Sequence, residues 1–108
     1  MKSEVIYIKK KSVGFREDAL MIEKRVKKIV ALKVVRTVYI DFSKVIFISR
    51  SFADELINVT GNLKKAGITL IYKNISANVK KMIDIVKSTR KNIYKSIASS
   101  YTSPNKRS

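Results

Sequence analysis

The chain has no cysteine, no histidine and no tryptophan. The first two absences remove disulfides, thiol nucleophiles, imidazole bases and ordinary zinc sites from its chemistry. Proline occurs once and glycine three times, at isolated positions 14, 61 and 67, so no glycine-rich loop exists to cradle a phosphate. Acidic residues are scarce too, 8 against 24 Lys and Arg, for a formal net charge of +16. The longest apolar runs, at 45–48 and 68–72, cannot cross a bilayer, and residues 5–8 are too short for the apolar region of a secretory signal. We therefore expect a water-soluble, cytoplasmic chain with no membrane segment, metal or cofactor.

What is present describes one ordered domain. A length of 108 residues with 45% hydrophobic content suffices for a single core. The positive excess favours polyanionic partners such as nucleic acid, anionic lipid or an acidic protein surface. It is equally the signature of a Lys- and Ile-rich proteome with solvated helix faces.

Apolar periodicity alternates along the chain between strand and helix spacing. Residues 5–8 read as a strand ended by Lys9, Lys10 and Lys11, with a turn at Gly14. From about residue 15 to 32 a helical stripe runs through Ala19, Ile22, Val26, Ile29 and Val30. Residues 34–42 are β-branched and aromatic-rich, which predicts a central, buried strand. Residues 45–48 read as a brief fourth strand or a buried crossover. A second helix carries its stripe at Phe52, Leu56, Val59 and Leu63, and Gly67 stands where a left-handed helix end is needed. Residues 68–72 form the next strand. Asn74 or Ser76 caps a third helix with inner residues Val79, Met82, Ile83 and Val86, continuing or restarting through Ile93 and Ile97. Residues 98–108 are Ser-rich, hold the proline and lose periodicity, so the expected domain is 1–97 with a frayed tail at 98–108. The order β-α-β-α-β-α, with short connections, predicts an α/β fold with a largely parallel sheet and right-handed crossovers.

The stretch YIDFSKVIFISRSFADEL, residues 39–56, concentrates the candidate functional side chains. Ser51 and Asp54 have the Ser-x-x-Asp spacing of a helix capping box, so Ser51 reads first as the N-cap. Asp41, at the carboxyl end of a strand, sits where α/β folds place ligand groups. It also suits an Asx-turn bonding back near Ser43 or Lys44. Arg50 beside a helix N-terminus is free to reach an anion or to pair with Asp54. Asp54 and Glu55 are consecutive helical residues about 100° apart and do not converge on one substrate. We expect no enzyme here.

Residues 37–56, TVYIDFSKVIFISRSFADEL, resemble the strand-turn-helix signature of STAS domains, named for sulfate transporters and anti-sigma-factor antagonists. The resemblance is nearest to a STAS-like family of unknown function with an Asp-Phe-Ser turn before a Ser-Phe-Ala-Asp-Glu helix start. It extends to Gly67, Ile68, Thr69 and Leu70, then Asn74, Ile75 and Ser76, and covers residues 34–86 well. It implies a small α/β sandwich without cofactor that regulates by binding protein. In anti-sigma-factor antagonists the helix starts Asp-Ser-Ser-Gly, and a kinase partner phosphorylates the first serine. Aligned from Asp41, those positions are Ser49, Arg50, Ser51 and Phe52. Arg50 thus occupies the acceptor position and has no hydroxyl. Ser49 and Ser51 remain as hydroxyls that could carry a phosphoryl group at the positive end of the helix.

Two function classes follow. One is a non-catalytic regulatory module docking a protein through Asp41, Ser49, Arg50, Ser51, Asp54 and Glu55. By the resemblance, that partner is a histidine-kinase-like ATPase or an anti-sigma-type regulator. The other is a nucleic-acid-binding protein contacting phosphates through Lys24, Arg25, Lys27 and Lys28, and through Lys80, Lys81, Lys87, Arg90, Lys91 and Lys95. Few aromatics accompany those clusters, so such binding would be sequence-tolerant.

Overall fold

The computed structural model describes the backbone of residues 3–102 and the side chains of residues 3–90. Three parallel strands, β1 (Ser3–Tyr7), β3 (Thr37–Asp41) and β5 (Thr69–Lys73), form a sheet in the order β1-β3-β5. A second, two-stranded parallel pair joins β2 (Ser12–Val13) to β4 (Phe47–Ile48). The helices are α1 (Arg16–Lys33), α2 (Arg50–Lys65) and α3 (Ala77–Thr102). This is the expected α/β fold with parallel strands. The 45–48 segment resolves as a short strand rather than a crossover.

Both β-α-β steps move the same way across the sheet, and right-handed connections then place their helices on one face. The burial pattern agrees. Ile6, Val38, Ile40 and Leu70 alternate onto the covered face and are buried. Against them pack Ala19, Ile22 and Val26 of α1, Phe52, Leu56, Val59 and Leu63 of α2, and Val79, Ile83 and Val86 of α3. Burying each larger side chain contributes about 1.5–3 kcal/mol. Phe42 meets Tyr72 edge-on, ring centroids 5.8 Å apart. On the opposite face Val5, Tyr39 and Ile71 lie side by side in register, the first two half-buried and Ile71 exposed. β3 is therefore central, as expected, but the expectation of a fully buried strand is corrected: among the described residues one of its faces is packed by helices, while the other carries the half-buried Thr37 and Tyr39.

Helix ends correct the sequence reading in two places. Residue 34 was expected in a strand, yet Val34 ends α1 in the left-handed region at φ 53° and donates its N–H to the Val30 carbonyl. By contrast, Gly67 at φ 83° ends α2 as expected. Its N–H donates to the Lys64 carbonyl at 3.0 Å, and the Ile68 N–H to Leu63 at 2.9 Å, the paired bonds of a Schellman motif. Ser76 rather than Asn74 caps α3, its hydroxyl accepting from the Val79 N–H at 3.2 Å. α3 continues unbroken to Thr102, so the segment expected as a tail from 98 begins as helix; residues 103–108 lie outside the described residues.

Candidate functional site: the strand-turn-helix corner

At the carboxyl end of β3 the sheet breaks and the chain turns into α2. Asp41 makes the break. Its Oδ1 accepts from the Ser43 N–H at 2.8 Å, which is the expected Asx-turn. Its Oδ2 accepts from the Asn74 side-chain amide at 2.9 Å, tying the end of β3 to the end of β5. Asn74 holds φ 58°, a left-handed conformation that Asn tolerates better than most residues. Only 6% of Asp41 is exposed. Hydrogen bonding from Ser43 holds its carboxyl below the ordinary value, with help from Asn74 and the charge of Lys73 and against the opposing effect of desolvation. Asp41 is a structural brace with both oxygens engaged.

Beyond the turn, the β2–β4 pair carries the chain to α2. The Ser49 N–H donates to the Val13 carbonyl at 3.0 Å, extending that ladder. The Ser49 hydroxyl then donates to the Gly14 carbonyl at 2.7 Å and accepts from the Phe52 N–H at 3.0 Å. Ser49 is therefore the N-cap, with Arg50 as the first helical residue. The expectation that Ser51 caps the helix is corrected: Ser51 lies inside the first turn with its side chain exposed. Both serines precede the apolar stripe, but only Ser49 reaches the β2–α1 loop.

Asp54 is likewise not a capping-box partner. Its Oδ1 stands 3.1 Å from Arg90 Nε, pinning α2 to α3, and Arg90 Nη2 also donates to the Asn58 side-chain oxygen. Glu55 turns the other way and meets Arg16 Nε at 3.6 Å, pinning α2 to α1. The two acids point to different helices, as their angular separation requires. The expected local pair between Arg50 and Asp54 does not form. Among the described residues Arg50 has no ion-pair partner, and it is exposed. Arg16, Arg50, Asp54 and Arg90 line an open cleft of about 350 Å³. Around the corner Phe15, Ile46 and Phe47 are 71%, 58% and 50% exposed.

The basic residues divide differently. Lys27 pairs with Glu23 at 3.7 Å, Lys80 with Asp84 at 3.0 Å, and Arg90 is engaged as described. Lys24, Lys28, Lys81 and Lys87 are exposed with no ion pair among the described residues. Lys91 lies beyond the described side chains. α2 packs between α1 and α3, so the two lysine sets stand on helices at either side of it. The described residues contain no group of three or more His, Cys, Asp or Glu placed to hold a metal.

Sequence reasoning did not single out Gly14, Arg16 or Asn74 as partners at this corner. The Gly14 carbonyl and the Arg16 side chain left no local signal. Asn74 did leave one, since Asn directly after a strand suits the left-handed turn it makes.

The chain is a small parallel α/β domain with a braced corner at the carboxyl end of β3. Residues 11–100 match the STAS domain, and the chain belongs to that family. None of the curated proteins compared with the chain matches it. STAS domains mediate protein–protein interaction and are generally non-catalytic, so membership suggests a regulatory, protein-binding role of the anti-sigma-antagonist kind. No helix among the described residues is long and apolar enough to cross a membrane.

Proposed function

We propose that this STAS domain is a cytoplasmic regulatory module that docks a protein partner through the corner at residues 41–57. By family analogy that partner is a histidine-kinase-like ATPase. The observation that carries the reading is the exposed combination of Phe15, Ile46 and Phe47 with the unpaired Arg50 and the exposed Ser51. Apolar side chains supply desolvation energy at an interface, and an Arg among them supplies directional donors. Asp41 and Ser49 hold the shape of this surface. Asp54 and Glu55 fix the arginines beside it. The test is partner capture by the full chain from native lysate. Phe47→Ser and Arg50→Glu are expected to abolish capture, while Lys81→Ala with Lys87→Ala alters chiefly its rate. Capture indifferent to the corner substitutions overturns the reading.

The unpaired Lys24, Lys28, Lys81 and Lys87 favour a second reading, phosphate-directed nucleic-acid binding. For duplex DNA, log K against log[salt] would slope at about −0.9 per phosphate neutralised. Titration against mixed-sequence DNA and RNA tests it. We expect binding at low salt that disappears near physiological salt. Tight binding at physiological salt, unaffected by corner substitutions, would instead assign the function to the lysines.

A further inference from the structure

Arg16, Arg50 and Arg90 belong to three different helices, yet they line one cleft of about 350 Å³ between the first turns of α1 and α2 and the flank of α3. Two of these guanidiniums are already oriented. Arg16 spends Nε on Glu55 at 3.6 Å, and Arg90 spends Nε on Asp54 at 3.1 Å and Nη2 on Asn58. A guanidinium carries five N–H donors in a rigid planar fork, so both keep donors in hand. Among the described residues Arg50 has no side-chain hydrogen bond or ion pair, so its donors are in hand there. The three guanidiniums outnumber the two carboxylates that hold them. α2 also has no acidic residue in its first turn to offset the positive end of its dipole. The exposed hydroxyl of Ser51 completes that wall.

The geometry points to a recognition cleft for a phosphomonoester carried on a segment of the docking partner. This rests on the docking reading above and names the chemistry it would recognise. A carboxylate presents two coplanar oxygens. A phosphomonoester presents three, with a charge of about −1.5 to −2 at neutral pH, and so suits donors arriving from three helices. The cleft has room for the side chain bearing the group as well as the group itself. Asp54 in the wall repels an anion, but its carboxylate is held by Arg90. The favoured seat is therefore on the Arg50 side, with Ser51.

The test is an NMR titration of the full chain, following the Arg50 and Ser51 amides. Three probes are compared: a degenerate peptide pool centred on phosphoserine, the same pool with serine, and inorganic phosphate. We expect saturable shifts at both amides with the phosphoserine pool. Removing the charge-assisted bonds by Arg50→Ala should weaken that binding about tenfold. Lys81→Ala with Lys87→Ala should leave it within about twofold, since exposed charges act there only through screened long-range attraction. Equal binding of the two pools overturns the inference, as does equal affinity for inorganic phosphate, which would mark a free-anion site. Equal sensitivity to the lysine substitutions also overturns it, by reducing the effect to general attraction. Partner capture distinguishes this failure from failure of the docking reading. Capture that is lost with Arg50→Glu yet survives phosphatase treatment of the lysate overturns the phosphate inference alone.

Discussion

Ser49 and Gly14 are joined by a 2.7 Å hydrogen bond across 35 positions of sequence, the serine hydroxyl donating to the glycine carbonyl. The same oxygen accepts from Phe52 at 3.0 Å, so one side chain both starts α2 and fastens it to the loop before α1. Ser49→Ala removes both bonds. The cap alone is worth about 0.5–2 kcal/mol, and the bond to Gly14 adds about 1 kcal/mol. Ser49→Asp restores the acceptor but not the donor and should fall between Ala and wild type. Ser51→Ala should stay within about 0.5 kcal/mol of wild type. Denaturant melts of the three variants check the order, and equal losses at positions 49 and 51 would reject Ser49 as the cap.

Asp41 makes stability depend on acid in a defined window. Its folded pKa is depressed below the ordinary value of 3.8. The unfolded chain therefore takes up the proton first as pH falls. The contribution is complete above that value and is lost as pH drops through the lower, folded pKa. Asp41→Asn lacks this term. The difference in melting temperature between wild type and Asp41→Asn should hold steady from pH 7 to pH 5 and narrow at more acid pH. A gap that stays constant into strong acid would show that the carboxylate is not preferentially stabilised.

Val34 is 85% exposed and left-handed at φ 53°, an arrangement that gives a β-branched side chain strain without burial. Val34→Gly relieves that strain and should stabilise the domain by about 1 kcal/mol, less the greater entropy of the unfolded glycine. Thermal unfolding reads the sign. A lower melting temperature in Val34→Gly would mean that the valine contributes more at this helix end than its exposure suggests.

The two interhelical ion pairs should differ in strength. Asp54 and Arg90 are 3.1 Å apart with a second contact to Asn58, whereas Arg16 and Glu55 are 3.6 Å apart with Arg16 mostly in solvent. Double-mutant cycles should give a coupling near the top of the exposed-pair range, about 1 kcal/mol, for the first and only a few tenths for the second. Raising salt should reduce both. A larger coupling for Arg16 and Glu55 would reverse the assignment of which helix contact holds the corner.

Much of the fold could be read from short-range pattern. Gly67 announced the end of α2 because a left-handed helix end strongly favours glycine, and the following Ile68 supplied the buried residue beside it. The stripe through Ala19, Ile22 and Val26 announced α1 for the same local reason. The corner was half legible. Asp41 bonds to a residue two positions away, so its turn could be foreseen. The choice between Ser49 and Ser51 could not, because it is decided by a carbonyl on the far side of α1 in sequence. The roles of Asp54 and Glu55 were hidden likewise, since Arg90 and Arg16 reach them only once three helices have packed. Val34 misled because β-branched composition favours a strand, while the chain needed a helix end there.

The face of the sheet away from the helices gives the +16 charge a colloidal meaning. The row of Val5, Tyr39 and Ile71 offers apolar surface beside the Lys73 ammonium, which stands 5.5 Å from the Tyr39 ring centroid, and β1 and β5 are the outer strands of the sheet. Like charge keeps such molecules apart over about 10 Å at 0.1 M salt and only about 3 Å at 1 M. Concentrated solutions should therefore scatter less light in dilute buffer than in strong brine. Ile71→Lys, which charges one end of that row, should abolish the difference.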